Sequence, residues 1–347
     1  MVFWTIYGTL YAIIEYGLLG ESAVYPSTQN YYNGKSQFIY IIPGSALLGL
    51  IIGLLEIFVF KRLFLKKSFS FKIFVKTGIY SFLIAFFLLF IGAFFMSREL
   101  GLSIYDPEVI NSQIRFFNNF AFYSIFIYIG FSFVISLFIY EISKNLGLMV
   151  FYNFITGKYT KPRVEERIFM FMDIKSSTAV AEELGHTKYY ELLNRYYSDM
   201  SDAILNTYGE IYQYVGDEVV ISWPIERGIK NNNCIRCFFE IKLAITSREA
   251  YYVNNFGLVP RFKAGLHCGM VTSGEVGELK KEIVFSGDVL NTTSRIQEQC
   301  NIYDAELLIS QELLSSLPNP DQVSTEVIGE IELRGRQQKV TINKVSL

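Results

Sequence analysis

The chain has 347 residues, enough for two domains of ordinary size. Hydrophobic residues make up 51% and charged residues 18%, a balance that points to a membrane protein. The net charge of −2 gives no support to a polyanionic partner, so nucleic-acid binding is set aside.

The composition shifts near residue 145. Before it, four apolar segments stand out, at about 2–19, 38–60, 73–96 and 119–142. Each is close to the ~20 residues that cross a hydrocarbon core. The first has no basic leading region and no clear cleavage site, so it reads as a span rather than a signal peptide. The connection after the second span carries Lys61, Arg62, Lys66, Lys67, Lys72 and Lys76. The first connection has only Lys35 and Glu21, and the third sets Arg98 and Arg115 against Glu99, Asp106 and Glu108. Lys144, Lys158, Lys161 and Arg163 follow the fourth span. By the positive-inside rule the second connection and everything after residue 143 are cytoplasmic. Residues 1–143 are therefore expected to form a multi-pass domain of the cell (inner or plasma) membrane. Glu15, Glu56 and Glu141 lie at or near span ends, where interfacial placement is favoured over an ion path.

Residues 144–165 read as a cytoplasmic helical stalk, punctuated by Gly157 and Pro162. "RIFMFMDI" is a continuous apolar run ending in a carboxylate, as a buried strand would. "SSTAVAEELGHTKYYELLNRYYSDMSDAILNTYG" has helical periodicity and stops at Gly209. "EIYQYV" and "EVVISW" are two strands around Gly216-Asp217, a pairing that suits a tight hairpin. "NNCIRCFFEIKLAITSREAYYVNNFG" is a second helix. It carries Cys234 and Cys237; with only His186 and His267 in the chain, these read as reduced thiols rather than a zinc site. "RFKAGLHCGMVTSGEV" and "KEIVFSG" are further strands, and "DVLNTTSRIQEQC" is a short helix with Asp288 as its candidate N-cap. "EVIGEIELRGRQQKVTINKVSL" alternates like a final hairpin.

The order strand, helix, strand, strand, helix, strand is a split βαβ arrangement, an α+β ferredoxin-like fold. It places the end of the first strand beside the central hairpin turn, so Asp173 and Asp217 converge. Two carboxylates at adjacent strand ends suit two magnesium (or manganese) ions of a phosphoryl displacement, with phosphates and water completing the shells. Lys175, Ser176, Ser177 and Thr178 open a helix whose free N–H groups suit phosphate oxygens. Asn291 and Arg295 stand four apart on one helix face and suit charge growing on phosphorus. Lys280, Lys281, Arg334 and Arg336 are candidates to neutralise a triphosphate tail. Taken singly, each of these residues is more often a cap, a turn or a solvated charge.

Residues 166–347 resemble the catalytic domain of class III nucleotidyl cyclases, the adenylyl and guanylyl cyclases. The pieces that carry the resemblance are "FMDIKSST", "GEIYQYVGDEVV", "FKAGLHCGMVTSGEVG", "FSGDVLNTTSR" and "ELRGRQQKV". The resemblance implies that Asp173 and Asp217 bind metal with help from the Ile174 carbonyl. It implies that Asn291 holds the ribose and Arg295 the transition state. It also implies a homodimer with sites shared between two chains, acting on ATP or another nucleoside triphosphate. In that family Gln213 and Val284 stand where the base is read. Adenylyl cyclases usually place Lys and then Asp or Thr there, and guanylyl cyclases Glu and Cys; this chain matches neither pair. The expectation is a membrane-anchored adenylate cyclase that makes 3′,5′-cyclic AMP and pyrophosphate. The alternatives are a cyclase of altered base specificity, making cyclic GMP or a cyclic pyrimidine nucleotide, and a catalytically silent nucleotide-binding receptor. "VGDEVV" is also similar to the GGDEF loop of diguanylate cyclases, which the Asn291 and Arg295 helix does not suit.

Overall fold

The computed structural model describes residues 2–60, 63, 69–279, 281–318, 323–332 and 339–346. The chain divides into two compact units, Met1–Leu148 and Met149–Leu347.

The first unit is helical. Its helices are α1 (Val2–Leu19), α2 (Gly34–Leu55, continued as a π-turn over Glu56–Phe60), α3 (Phe69–Leu100), α4 (Pro107–Phe117) and α5 (Phe120–Leu146). Four of them contain stretches long and apolar enough to cross a membrane: Val2–Leu19, Gly34–Phe60, Phe74–Leu100 and Phe120–Tyr140. These agree with the sequence segments to within a few residues. Asparagine caps start two of them: Asn33 accepts from the Ser36 amide and Asn119 from the Ala121 amide. The short helix α4 starts at Pro107 behind the Asp106 cap, as fixed proline geometry favours. The core of this unit is aromatic, built on Trp4, Phe60, Tyr80 and Phe133. Glu15 and Glu56 turn into the bundle rather than out to its rim: Glu15 is 7% exposed, and Glu56 pairs with Lys76.

The second unit opens with α6 (Leu148–Ile155) and is built on one eight-stranded sheet. The strands are β1 (Arg163–Ile174), β2 (Glu210–Val215), β3 (Glu218–Pro224), β4 (Phe262–Val276), β5 (Glu282–Ser286), β6 (Leu307–Ser310), β7 (Ser324–Ile331) and β8 (Val340–Ser346). Their order is β2-β3-β1-β4-β6-β8-β7, with β5 paired to the far half of β4. The first four strands in that order are the expected split βαβ core. Among the described residues only the β4–β6 pairing is parallel. The helices between strands are α7 (Ser177–Leu184), α8 (His186–Asn206), α9 (Ile225–Ile229), α10 (Asn233–Thr246), α11 (Glu249–Phe256), α12 (Asp288–Gln299) and α13 (Gln311–Ser316).

The alternation along β1 sorts its side chains between two cores. Ile168, Met170, Met172 and Ile174 join the main core with α8 and α10, where Cys234 and Cys237 are also buried. Their thiols are pushed up to about 12 by burial, which keeps them protonated. Phe169 and Phe171 point the other way, to Phe285 and Val289 under α12. Asp173 shares their parity, so β1 delivers its carboxylate to the α12 face.

Several elements differ from the sequence reading. Each of the two long helices is split, the first at Gly185 (φ 74) and the second at Ser247-Arg248. Gly287, not Asp288, occupies the N-cap of α12; Asp288 is its first residue and its carboxylate accepts from the Thr292 hydroxyl. Strand β1 begins at Arg163, inside the expected stalk, and Tyr159 just before it is buried, its carbonyl accepting from the Glu275 amide.

Candidate active site

The site is assembled by three neighbouring strands and one helix. Strands β1 and β3 pair antiparallel with Met172 opposite Val219, so Asp173 reaches the level of the β2–β3 turn. That turn is the two-residue link Gly216-Asp217 between Val215 and Glu218. Gly216 has φ 64, a backbone region in which a Cβ is strained. The Tyr197 hydroxyl on α8 donates to the Gly216 carbonyl at 2.8 Å and anchors the turn. The structure thus brings Asp173 and Asp217 together, as the strand order predicted.

Beside β1, Asp173 lies opposite Lys263 of β4. The Lys263 ammonium is buried and sits 3.7 Å from Asp173 Oδ2. Gln297 Nε2 on α12 donates to the same oxygen at 3.3 Å. Helix α12 comes this close because β4 has a glycine beneath it: a Cβ on Gly265 would fall 2.5 Å from the Gln297 backbone nitrogen.

Negative charge dominates this corner. The Asp173 carboxyl is pushed up to about 6, by burial first and then by Asp217; Lys263 and Gln297 act in the opposite sense. Glu218, next in the chain, is pushed up to about 7 by burial and by both aspartates. Asp217 Oδ2 is buried and has no hydrogen-bond partner among the described residues. A buried carboxylate oxygen without a donor is costly, and a cation satisfies it. Among the described residues no cluster of three or more His, Cys, Asp or Glu forms a protein-only cage. Two aspartates, one with an oxygen to spare, suit a hard divalent ion that keeps room for phosphate and water.

The turn after β1 is only partly as expected. The Lys175 amide donates to the Arg261 carbonyl at 2.8 Å, so it is not free for phosphate. Its ammonium lies 4.0 Å from Asp304. Ser176 sits at φ 57 without a side-chain capping bond, ahead of Ser177 and Thr178 in the first turn of α7. Ile174 is buried at the strand end. Lys281 is exposed, its ammonium 3.5 Å from Glu275. Lys280, Arg334 and Arg336 lie outside the described residues.

Asn291 and Arg295 are not gathered at the Asp173 corner. On a helix Arg295 and Gln297 are about 200° apart. Gln297 faces Asp173, so Asn291, exposed, and Arg295, half-buried, face away from it. Gln213 is exposed on β2 and Val284 is half-buried on β5. Their neighbours Tyr212 and Phe285 pack ring to ring at 5.0 Å; Val284 alternates away from that cluster, whereas Gln213, past a bulge in β2, lies opposite Val220 and so on the cluster's own face.

Sequence reasoning missed Lys263, Gln297, Glu218 and Tyr197. Lys263 had a visible signal: a lone cation inside the apolar strand "FKAGLHC" must find a carboxylate. Gln297, Glu218 and Tyr197 needed the packing of α12 and α8 against the sheet.

Comparison with known proteins identifies this arrangement. Residues 160–343 match the model of the adenylate and guanylate cyclase catalytic domain. The chain is 38% identical over 206 residues to adenylate cyclase 2 of Rhizobium meliloti (strain 1021), covering 59% of this chain and 57% of that protein. It is 26% identical over 184 residues to an adenylate cyclase of Anabaena cylindrica, covering 51% of this chain and 36% of the relative. The chain thus spans about half the length of the curated relatives it matches, or less. The fold is similar to that of a bacterial light-regulated adenylyl cyclase, with TM-score 0.54, 21% identity and coverage of 61% of this chain and 62% of that one. The matched model takes in Asp173, Asp217, Asn291 and Arg295 and covers just over half of the chain, which belongs to the class III adenylate and guanylate cyclase family.

Proposed function

We propose that this protein is a membrane-anchored adenylate cyclase that converts ATP to 3′,5′-cyclic AMP and pyrophosphate at sites shared by two copies of the chain. The observation that carries this reading is the geometry of α12. The same helix that fixes Asp173 through Gln297 turns Asn291 and Arg295 away from that aspartate, which supports a site completed by a second copy. The membrane anchor is the four-span bundle, with the cyclase domain in the cytoplasm by the distribution of basic residues.

Asp173 and Asp217, with the Ile174 carbonyl, are the residues that would hold divalent cations, magnesium or manganese, two per site. When bound, such ions supply the positive charge that lowers the pKa of the 3′-hydroxyl and neutralises the triphosphate. The chain's own groups do the rest. Lys263 and Gln297 hold Asp173 in its rotamer, and Tyr197 holds the turn that carries Asp217. The amides of Ser176 to Thr178 receive phosphate oxygens at the start of α7. The 3′-oxygen attacks the α-phosphorus, the bond to the bridging oxygen breaks, and pyrophosphate leaves. Arg295 of the second copy meets the charge that grows on phosphorus, and Asn291 orients the ribose. Lys281, with Lys280, Arg334 and Arg336, is assigned to the triphosphate tail.

A second reading rests on Gln213 and Val284. A glutamine amide offers one donor and one acceptor, which fit adenine in one orientation and guanine in the other. Val284 has no polar atom to fix that orientation. One assay tests both readings: the purified full chain is incubated with each of the four ribonucleoside triphosphates and Mg²⁺ or Mn²⁺. Cyclic AMP as the main product is expected. A different main product would establish the second reading, and no cyclic product from any substrate would overturn both in favour of a silent receptor.

A further inference from the structure

The helical bundle contains a cavity of about 220 Å³ with an unusual lining. Its walls include the rings of Trp4, Tyr7, Tyr11, Tyr25, Tyr40 and Tyr128, and its lining includes one carboxylate, Glu15, and no basic side chain. It is larger than the roughly 150 Å³ hollow that takes up benzene in an engineered protein. It therefore has room for a small ring carrying an aminoalkyl arm.

Glu15 is 7% exposed and only half satisfied. Its Oε1 accepts from the Tyr11 hydroxyl at 2.9 Å and from the Tyr25 hydroxyl at 2.6 Å. Among the described residues its Oε2 has no hydrogen-bond partner, and neither does Oε1 of Gln113, the amide that also lines the cavity. The same bundle shows how a carboxylate is closed when it serves the fold alone. Glu56 takes the Lys76 ammonium at 2.7 Å on one oxygen and the Tyr80 hydroxyl at 3.0 Å on the other. Glu15 has the tyrosines and lacks the cation.

The cavity is also capped by built structure. The connection between α1 and α2 folds back on itself, with the Tyr25 amide donating to the Asn30 carbonyl and the Tyr32 amide to the Ala23 carbonyl. Asn30 donates to the Ser112 carbonyl of α4 and accepts from Arg115, and Asn119 donates to the Ser27 carbonyl. Tyr25, Thr28 and Asn30 of this connection and Gln113 and Phe116 of α4 all reach the cavity.

We propose that this cavity is a binding site for a small organic ammonium ion, whose N–H groups donate to Glu15 Oε2 and Gln113 Oε1 while the rings enclose its charge. A buried carboxylate pairs best with a cation that brings its own donors. Aromatic faces attract an ammonium and tolerate its hydrocarbon arm, whereas a hard metal ion would need more oxygen ligands than Glu15 and an amide supply. The capped end is the base-poor end of the bundle, which the proposed membrane orientation places outside the cell, so the site would receive amines from that side.

The test uses the full chain in lipid nanodiscs and reads binding by calorimetry, so its outcome does not depend on cyclase activity. The probes are methylammonium, tetramethylammonium, cyclohexylammonium and phenethylammonium, with 2-phenylethanol as the neutral match for the last and KCl as the inorganic cation. At least one ammonium is expected to bind, at least tenfold tighter than the alcohol, and undisplaced by equimolar K⁺. Glu15→Gln should weaken that binding at least tenfold with Tm unchanged, and Gln113→Leu should weaken it a few-fold. No heat from any ammonium, equal binding of the alcohol, displacement by K⁺, or full affinity in a folded Glu15→Gln protein would each overturn the proposal.

Discussion

The cyclase domain and the helical bundle each keep a buried carboxylate oxygen without a partner among the described residues, and they surround it differently. Asp217 has a second aspartate beside it, Asp173, which Lys263 and Gln297 hold, and a glutamate raised by both. Glu15 has tyrosine hydroxyls on its other oxygen and aromatic rings around the space beside it. The first neighbourhood concentrates negative charge at a point and suits a small, hard, divalent ion. The second spreads weak attraction over a wide surface and suits a large, soft, monovalent one. The carboxylate is common to both; its neighbours decide which cation belongs.

The strongest way to break the comparison is at the cyclase site. Asp173→Ala and Arg295→Ala should each lower cyclase activity at least about a hundredfold, the scale of losing a group that meets transition-state charge. Mixing the two inactive chains should restore part of the activity, because one of the two sites in the mixed dimer keeps both residues. Measured rates of cyclic nucleotide formation decide it, and absence of rescue would argue that each chain holds its own complete site.

The next effect is in the bundle and concerns stability. Lys76→Met leaves Glu56, half-buried, with one tyrosine and should cost up to about 3 kcal/mol, the lower end of the scale for breaking a buried ion pair. Glu15→Gln breaks no ion pair and should leave the unfolding midpoint unchanged. Thermal unfolding of the two variants in nanodiscs makes the measurement. Equal destabilisation by both would mean that Glu15 serves the fold as Glu56 does.

How much of this was legible beforehand differs between the regions for physical reasons. The spans were legible because length and hydropathy suffice to mark them. Strand β1 and the Gly216-Asp217 hairpin were legible because apolar runs and turn residues are local signals, and the fold then brought Asp173 to Asp217. Strand β6 went unseen: three apolar residues and a serine, Leu307 to Ser310, carry too little periodicity to declare a strand. The Lys175 amide was misjudged because its acceptor, the Arg261 carbonyl, lies far along the chain. Glu15 was placed at an interface because it is near a helix end; its partners Tyr11 and Tyr25 turn it inward, and Tyr25 comes from a connection whose folding the sequence does not announce.

A smaller effect separates the metal-free cyclase site from its loaded state. Asp173 has its native pKa raised to about 6 from the ordinary 3.8. Between those values the native state binds more protons than the unfolded chain, so metal-free stability falls as pH rises through this window. Asp173→Asn should remove that slope and raise the metal-free Tm at pH 7 by several degrees, while abolishing the Tm gain that Mg²⁺ gives the unaltered protein. Melting curves from pH 4 to 8, with and without Mg²⁺, read both. A Tm lowered by the asparagine at pH 7 would show that Lys263 outweighs Asp217 as a partner of Asp173.

The smallest change sharpens the other end of the cyclase site, where an amide rather than a charge would choose. Gln213 is exposed in the single chain, so replacing it should alter stability by no more than about 0.5 kcal/mol. Gln213→Glu converts a group that donates and accepts into one that only accepts. Guanine presents two donors, its N1–H and its amino group, to such an acceptor. Adenine presents the lone pair of N1, which a carboxylate repels. The ratio of cyclic GMP to cyclic AMP formed from equal GTP and ATP should therefore rise about tenfold, the size of one gained or lost hydrogen bond to a charged group. An unchanged ratio with unchanged total rate would mean that Gln213 does not meet the base, and that selectivity lies in backbone groups around β5.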